Sequence, residues 1–531
     1  MYHHPVQHSH TLFLQLLLLT QKKLYNITQH MVKESMGTNY GRGIIKQVEE
    51  MTLENERLIC ENKRLRAENK DLCAQLKELE TTTAAAIAKL AAEIDRLKAQ
   101  INKNSGNSSK PPSQDGFKSI ANSREASGRK SGGQRGHPGK RLELPNNLDE
   151  LVEKGLARRE VHDHTSGADT YVSRYTLDVD VILVVREHRY IKGSAPMGAE
   201  VTYGDKIKTL SALLSTEGII AEERLSDFFS EVTSGAIKLS DATIESFMNE
   251  LSVKLSPELE VIESSLLNEP VMNTDETPQR CTQKPDNTGP EPDLRKSERA
   301  SYSAYIRTHS NPTTTLYTAN PQKNDEGVQR DGILPRYIGI LSHDHEAKFY
   351  NYGTAHATCG AHLLRELRGL FELQKIPWAD EMRRFMTGMN NYKNADIAIG
   401  KASCETDALS KFGLDYDRLI KAGRVALSLL KENELGHDEL RRMLNRLTDY
   451  KDCYLLFIRD YRAPFTNNLA ERDLRPCKTK QKVSGCFRSW AGIQKYVRIR
   501  SFISTAKKRN LSLLDSISRV LHGLPVLTVG E

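Results

Sequence analysis

The stretch Asn467-Asn468-Leu469-Ala470-Glu471-Arg472-Asp473-Leu474-Arg475-Pro476 sets one carboxylate, Glu471, at the head of a basic segment. Lys478, Lys480 and Lys482 follow, then Gly485-Cys486-Phe487-Arg488-Ser489. A lone acid among cations suits a metal ion that must meet a phosphate backbone. Upstream, two apolar runs end in aspartates: Asp275 in Val271-Met272-Asn273-Thr274-Asp275-Glu276-Thr277, and Asp344 in Ile338-Gly339-Ile340-Leu341-Ser342-His343-Asp344. Two aspartates at strand ends and a glutamate on a helix read together as an Asp-Asp-Glu site for phosphodiester chemistry. Such chemistry uses two divalent ions about 3.5–4 Å apart. Mg2+ takes oxygen ligands and keeps several waters, so three carboxylates suffice, and Mn2+ can substitute. Glu276, next to Asp275 on an extended strand, is expected on the opposite face. Asp473 is expected to turn away from Glu471 and to make a surface ion pair with an arginine.

The charge is distributed to match. The 531 residues allow two to four domains, and the net charge is only +7. Residues 103–141 nevertheless carry nine Lys/Arg against two Asp/Glu, and residues 472–509 carry twelve against one. Segregated positive charge of this kind points to a polyanion partner. Arg472, Arg475, Lys478, Lys480, Lys482, Arg488, Arg498 and Arg500 are the candidate phosphate contacts, which position DNA without reading its sequence. The eight cysteines form no Cys-x-x-Cys pair, which fits a reducing cytoplasm rather than a disulfide scaffold, with nucleoid association when DNA is bound. The apolar run 12–19 is too short to span a bilayer, so no membrane partner is expected.

Residues 1–43 read as a weakly structured or mis-started extension, with Met31 or Met36 as alternative starts. Residues 44–102 read as a coiled coil. Met51, Leu58, Leu65, Leu72 and Leu79 recur every seven residues, opposite Val48, Asn55, Asn62, Asn69 and Leu76. The seam resumes as Ile87, Leu90, Ile94, Leu97 and Ile101 after a stutter. A homodimer or higher oligomer is the expected use of this seam. Residues 103–141 form a Gly-, Pro- and Ser-rich basic linker. Residues 142–204 contain a run, 171–191, that alternates β-branched and polar residues and predicts a small sheet. Residues 205–268 read as short helices able to bind DNA, with Ser240 as an N-cap. Residues 269–515 start with strand-like runs (271–274, 302–307, 314–318, 337–342) and one helix near 325–334. They then give a long helical block at about 360–460 and a basic helix, which fits an α/β core carrying an insertion. Residues 516–531 are a tail.

Across residues 104–515 the chain resembles the insertion-sequence-66 family of bacterial transposases. The likeness rests on Ser108-Ser109-Lys110-Pro111-Pro112-Ser113, Gly132-Gly133-Gln134-x-Gly136-His137, Asp275-Glu276-Thr277 and His343-Asp344-His345. It continues in Cys359-Gly360-Ala361-His362-Leu363-Leu364-Arg365-Glu366-Leu367, Asn467-Asn468-x-Ala470-Glu471-Arg472 and Lys482-x-Ser484-Gly485-Cys486-Phe487-Arg488-Ser489. The resemblance implies an α/β RNase H-like catalytic core with a large helical insertion. It implies a metal-holding triad of Asp275, Asp344 and Glu471, and cleavage at element ends followed by strand transfer into target DNA. It also implies small accessory proteins of the same element. Family members often carry a cysteine-based zinc module after the Gly-Gly-Gln segment, but no cysteine lies between Cys73 and Cys281 here. Zinc is not expected there, nor at Cys359 and His362, which supply only two ligands. His362 and Arg365 share a helical face and are candidate DNA contacts near the site. Two further readings use the same residues: an inactive transposase-derived coiled-coil DNA-binding protein, and a two-metal nuclease without strand transfer.

Overall fold

The computed structural model describes residues 22–23, 26–27, 30, 39–108, 143–164, 166, 170, 172–283, 302–432 and 434–528. Most of the extension expected over residues 1–43 and most of the basic linker fall outside them. The chain divides into two compact units, Met1–Lys98 and Ala99–Glu531. Among the described residues no helix is long and apolar enough to cross a membrane.

Helix α1 (Asn39–Ile101) runs for 63 residues. Ion pairs one turn apart, such as Arg64 with Glu68 at 3.2 Å, support it from the polar side. The heptad leucines Leu58, Leu65, Leu72 and Leu79 all stand exposed. The linker opens on a built turn rather than on loose chain. Asn107 Oδ1 accepts from the Asn104 amide (2.8 Å), and Asn104 Oδ1 accepts from the Gly106 amide (2.8 Å). Asn107 is buried, with its carbonyl so close over Gly369 that a Cβ there would meet it at 2.3 Å.

The short α2 (Leu148–Glu153) follows. The small sheet expected over 171–191 does not form: described residues in that run join no strand ladder, and Val172, Val179 and Ile191 are more than four-fifths exposed. Alternation stabilises a strand only when a neighbour completes the hydrogen-bond ladder and a core covers the apolar face. Neither is present in this run.

Helices α3 (Asp205–Thr216), α4 (Glu222–Val232), α5 (Asp241–Lys254) and α6 (Ser256–Leu267) come next. Ser240 caps α5 by accepting from the Thr243 amide. Leu225, Phe229, Leu239, Ile244 and Phe247 form a small core among them.

The centre is a mixed five-stranded sheet: β1 (Val271–Cys281), β2 (Tyr302–Ser310), β3 (Thr315–Asn320), β4 (Ile340–His343) and β5 (Ala355–Thr358), in the order β3-β2-β1-β4-β5. The first three strands pair antiparallel, and β4 and β5 add parallel to β1. Helix α7 (Asp325–Asp331) makes the crossover from β3 towards β4, capped by Asn324 and ended by Gly332 in the left-handed region. Five helices then intervene: α8 (Gly360–Glu372), α9 (Pro377–Ala398), α10 (Thr406–Ser428), α11 (His437–Asp449) and α12 (Lys451–Arg459). They enclose a core of their own around Trp378, Met382, Tyr416, Leu444 and Tyr454. Buried polar tips are satisfied there, as when Trp378 Nε1 donates to the Leu419 carbonyl (2.7 Å).

Helices α13 (Asn468–Ser484), α14 (Trp490–Lys508) and α15 (Leu513–Leu521) close the fold. α14 covers the open edge of the sheet. The Thr315 amide donates to Thr505 Oγ1 (3.1 Å) and the Tyr317 amide to Ser501 Oγ (2.8 Å). Gln494 Nε2 donates to the Ala319 carbonyl (3.1 Å). Alternate residues of an edge strand thus find side-chain partners on a helix, which removes the template for strand addition.

Candidate active site

Asp275 lies inside β1 rather than at its end, because the strand runs on to Cys281. Asp344 directly follows β4. The parallel register pairs Asn273 with Ser342, so two residues further along each chain stand Asp275 and Asp344. Each carboxylate is fixed locally by a backbone amide: Glu276 N donates to Asp275 Oδ1 (2.8 Å), and Glu346 N donates to Asp344 Oδ1 (3.0 Å).

Glu471 is brought to them from the first turn of α13. The residue that aims this helix is Asn467, which is almost fully buried. Its Nδ2 donates to the Thr274 carbonyl (2.7 Å), its Oδ1 accepts from Asn273 Nδ2 (2.9 Å), and its amide points at Cys359 Sγ (3.2 Å). The start of α13 is thereby pinned to β1 beside Asp275. Sequence reasoning missed this role, although the Asn467-Asn468 doublet was in view.

The electrostatics follow from this crowding. Burial, then the negative charge of Asp344, push the Asp275 carboxyl up to about 7, and Glu471 adds in the same direction. The positive charge of Lys478 opposes them. Burial also raises Asp344; the Glu346 amide opposes this, the Glu346 carboxylate adds to it, and His362 and Lys323 oppose it. His362 is held below its ordinary value by burial and by Arg365, while Glu471 and Asp344 pull it upward. Its Nδ1 lies 3.6 Å from Glu471 Oε1, and Arg365 Nη2 lies 3.7 Å from the same oxygen. Both separations exceed a hydrogen bond, and the buried Glu471 Oε1 has no hydrogen-bond partner. Burial and repulsion between carboxylates thus raise the Asp275 and Asp344 carboxyls, and Glu471 Oε1 is left without a hydrogen bond.

Glu276 turns to the other face, where Arg307 (2.9 Å) and Lys348 (2.6 Å) hold it. Asp473 differs from expectation. It is mostly buried and pairs with Lys508 (2.7 Å) rather than with a surface arginine, and it accepts from Thr315 Oγ1 (3.0 Å).

Among the cations, Arg472, Arg475, Lys478, Lys482 and Arg488 are exposed. Arg475, Lys478 and Lys482 follow Glu471 at helical spacing and form one stripe leading from it. Three others are turned into the protein. Arg500 is buried and ion-paired to Glu217, and Arg498 donates to the Ser252 carbonyl (2.9 Å) and Ser256 Oγ (2.7 Å). Lys480 is pulled down by burial, beside Glu222. Arg498 and Arg500 hold α14 to the helices before the sheet. The reason is that α14 is buried along most of its length, so its basic residues find protein acceptors before solvent. The zinc expectation also changes. Besides Cys359 and His362, the fold brings Glu471 to the same place, and the three donor atoms lie within 4.8 Å of one another.

A carboxyl whose folded value lies above its unfolded 3.8 favours the protonated native state. Its contribution is therefore complete below about pH 4 and is lost as pH rises through about 7. Asp275→Asn is expected to stabilise the metal-free chain at pH 8, by roughly 1–4 kcal/mol, and to leave it little changed at pH 4. Thermal melts of both proteins in chelator at the two pH values check this. An equal shift at both would mean that charge crowding at Asp275 is not the cause.

None of the curated proteins matches the chain. Residues 42–143, which hold α1 and the basic linker, match a family of unknown function (DUF6444). Residues 216–495, just over half of the chain and inclusive of Asp275, Asp344 and Glu471, match the Transposase IS66 family. With the match extending over the sheet, the helical insertion and the basic helix, the chain belongs to the Transposase IS66 family.

Proposed function

We propose that this protein is a DNA transposase that cuts phosphodiester bonds at element ends and joins the freed ends to target DNA, using an RNase H-like core and an Asp275–Asp344–Glu471 triad. The observation that supports the reading is the parallel β1/β4 register, which sets Asp275 and Asp344 at matching positions, together with the Asn467 anchor, which ties the start of the Glu471 helix to β1. The strand order with antiparallel β1–β3 and parallel β4 and β5 supports the RNase H-like assignment.

All-oxygen donors, an Asp275 carboxyl crowded by its neighbours and an unpartnered Glu471 oxygen fit Mg2+. When bound there, two Mg2+ ions would activate the attacking oxygen and stabilise the leaving one. The chain's own part is positional. Asp275, Asp344 and Glu471 hold the cations. The amides of Glu276 and Glu346 orient the two aspartates. Arg475, Lys478 and Lys482 receive the DNA backbone along α13, and His362 and Arg365 stand beside the scissile position. The leucine seam of α1 joins two copies, which brings two ends together.

The direct assay mixes the full chain with a plasmid carrying the DNA that flanks its own coding sequence. Cleavage and joined products are expected with Mg2+ and not with chelator. Asp275→Asn, Asp344→Asn or Glu471→Gln should each lower the rate by at least about a thousandfold. Cleavage without joined product would identify a nuclease, and binding without cleavage an inactive DNA-binding protein.

Lys478→Ala is expected to weaken DNA binding and to reduce the slope of log affinity against log salt by about 1, one phosphate contact. Arg500→Ala should leave that slope unchanged and lower stability instead. Sedimentation of the full chain should show a dimer or larger species. Replacing Leu58, Leu65 and Leu72 with Lys should shift it to the monomer mass; a wild-type monomer at tens of micromolar would end the coiled-coil reading.

A further inference from the structure

The turn that starts α8 places Cys359 at the helix N-cap and His362 three residues on, so both donors project from one turn. Glu471 reaches the same spot from the first turn of α13. The Cys359 sulfur, a His362 ring nitrogen and a Glu471 oxygen lie within 4.8 Å of one another. Two of the donor atoms, His362 Nδ1 and Glu471 Oε1, are buried without hydrogen-bond partners and stand 3.6 Å apart. Ligands around a tetrahedral zinc ion, bonded at about 2.0–2.3 Å, lie roughly 3.3–3.7 Å from each other. One edge of that tetrahedron is already set, and the sulfur needs to close by about 1 Å. A sulfur, an imidazole and a carboxylate are also the wrong donors for Mg2+ and the right ones for a borderline-soft ion.

We propose that Cys359, His362 and Glu471 form a second cation site, selective for zinc-class divalent ions, with a fourth position open to water. Arg365, 3.7 Å from Glu471 Oε1 but not hydrogen-bonded to it, swings away as the ion enters. Because Glu471 serves both sites, loading this one withdraws the third carboxylate from Asp275 and Asp344. Zinc therefore inhibits the Mg2+-driven reaction by competition for one side chain. This regulatory consequence rests on the transposase reading above, whereas the binding site itself does not.

The test titrates the metal-free full chain with Co2+ and follows thiolate-to-cobalt charge-transfer absorbance, which reports a sulfur ligand directly. One equivalent is expected to develop the band, and Zn2+ should displace it. Cys359→Ser should abolish the band, and His362→Gln should weaken binding at least tenfold while retaining the sulfur signal. Circular dichroism of both variants verifies folding, and should Cys359→Ser fail to fold, the partly exposed His362 position still decides the matter. A band that persists in Cys359→Ser, or a cobalt affinity of His362→Gln equal to that of the wild-type chain, overturns the site. In the cleavage assay, inhibition by zinc should be at least tenfold weaker in Cys359→Ser than in the wild-type chain, and equal inhibition of the two overturns the regulatory role. If no preparation cleaves DNA with Mg2+, the transposase reading and its regulation fail, while the cobalt band still decides the binding site.

Discussion

Asn467 ties the two halves of the candidate site together, and the rest of the arrangement hangs on its hydrogen bonds. A carboxylate on a helix and two on a sheet repel one another, so the metal-free fold must hold Glu471 near Asp275 by contacts that owe nothing to their charges. The amide of Asn467 supplies a donor to the Thr274 carbonyl and an acceptor to Asn273, both buried. Leaving such groups unpaired costs about 1–3 kcal/mol each, which makes the anchor self-enforcing. One helical turn later the chain presents Glu471, so a fixed Asn467 fixes the acid. Placing the restraint on neutral amides leaves the carboxylates free for a cation.

The same economy governs the positive charge. Of the basic residues after Glu471, those on the outer face of α13 stay exposed, while Arg498, Arg500 and Lys495 bind acceptors on the preceding helices. α14 has two neighbours to satisfy: the open edge of β3 on one side, met by Ser501 and Thr505 hydroxyls, and α3 to α6 on the other, met by long cations. Lys495, Arg498 and Arg500 are thereby spent on contacts within the protein. The exposed stripe on α13 is consequently shorter, and it begins beside the acids.

Which features were legible in the sequence follows from how local their causes are. The strands at 271–274, 302–307 and 314–318 announced themselves through apolar and β-branched residues, and Asp275, Asp344 and Glu471 were singled out by the motifs around them as the site proposed above. β5 (Ala355–Thr358) is four residues with two alanines, too short and too plain to register as a strand until β4 is there to pair with it. Asn467 was unreadable as an anchor because its partners lie nearly two hundred residues away. Arg500 read as surface charge because its counter-ion, Glu217, belongs to a different helical region. In 172–191 the error ran the other way: an alternating pattern promised a sheet, but a pattern supplies no partner strand.

The helical insertion shows why a block of about a hundred residues can sit between the second and third acids without disturbing them. It leaves the sheet at Gly360 and returns at Phe465, and the two points touch: the Gly360 amide donates to the Phe465 carbonyl (2.8 Å). Any side chain at 360 would collide with the Phe465 ring at 2.5 Å, so glycine is what lets the entry and exit segments close against each other. Between them the five helices bury their own apolar faces, so closing the ends costs only the slowly growing entropy of a loop that is already folded. The price of insertion is therefore met inside the insertion, and the acids on either side meet as if the chain between them were short. The junction also delivers Cys359 and His362 to the edge of the site, which gives the insertion's first turn a direct contact with Glu471.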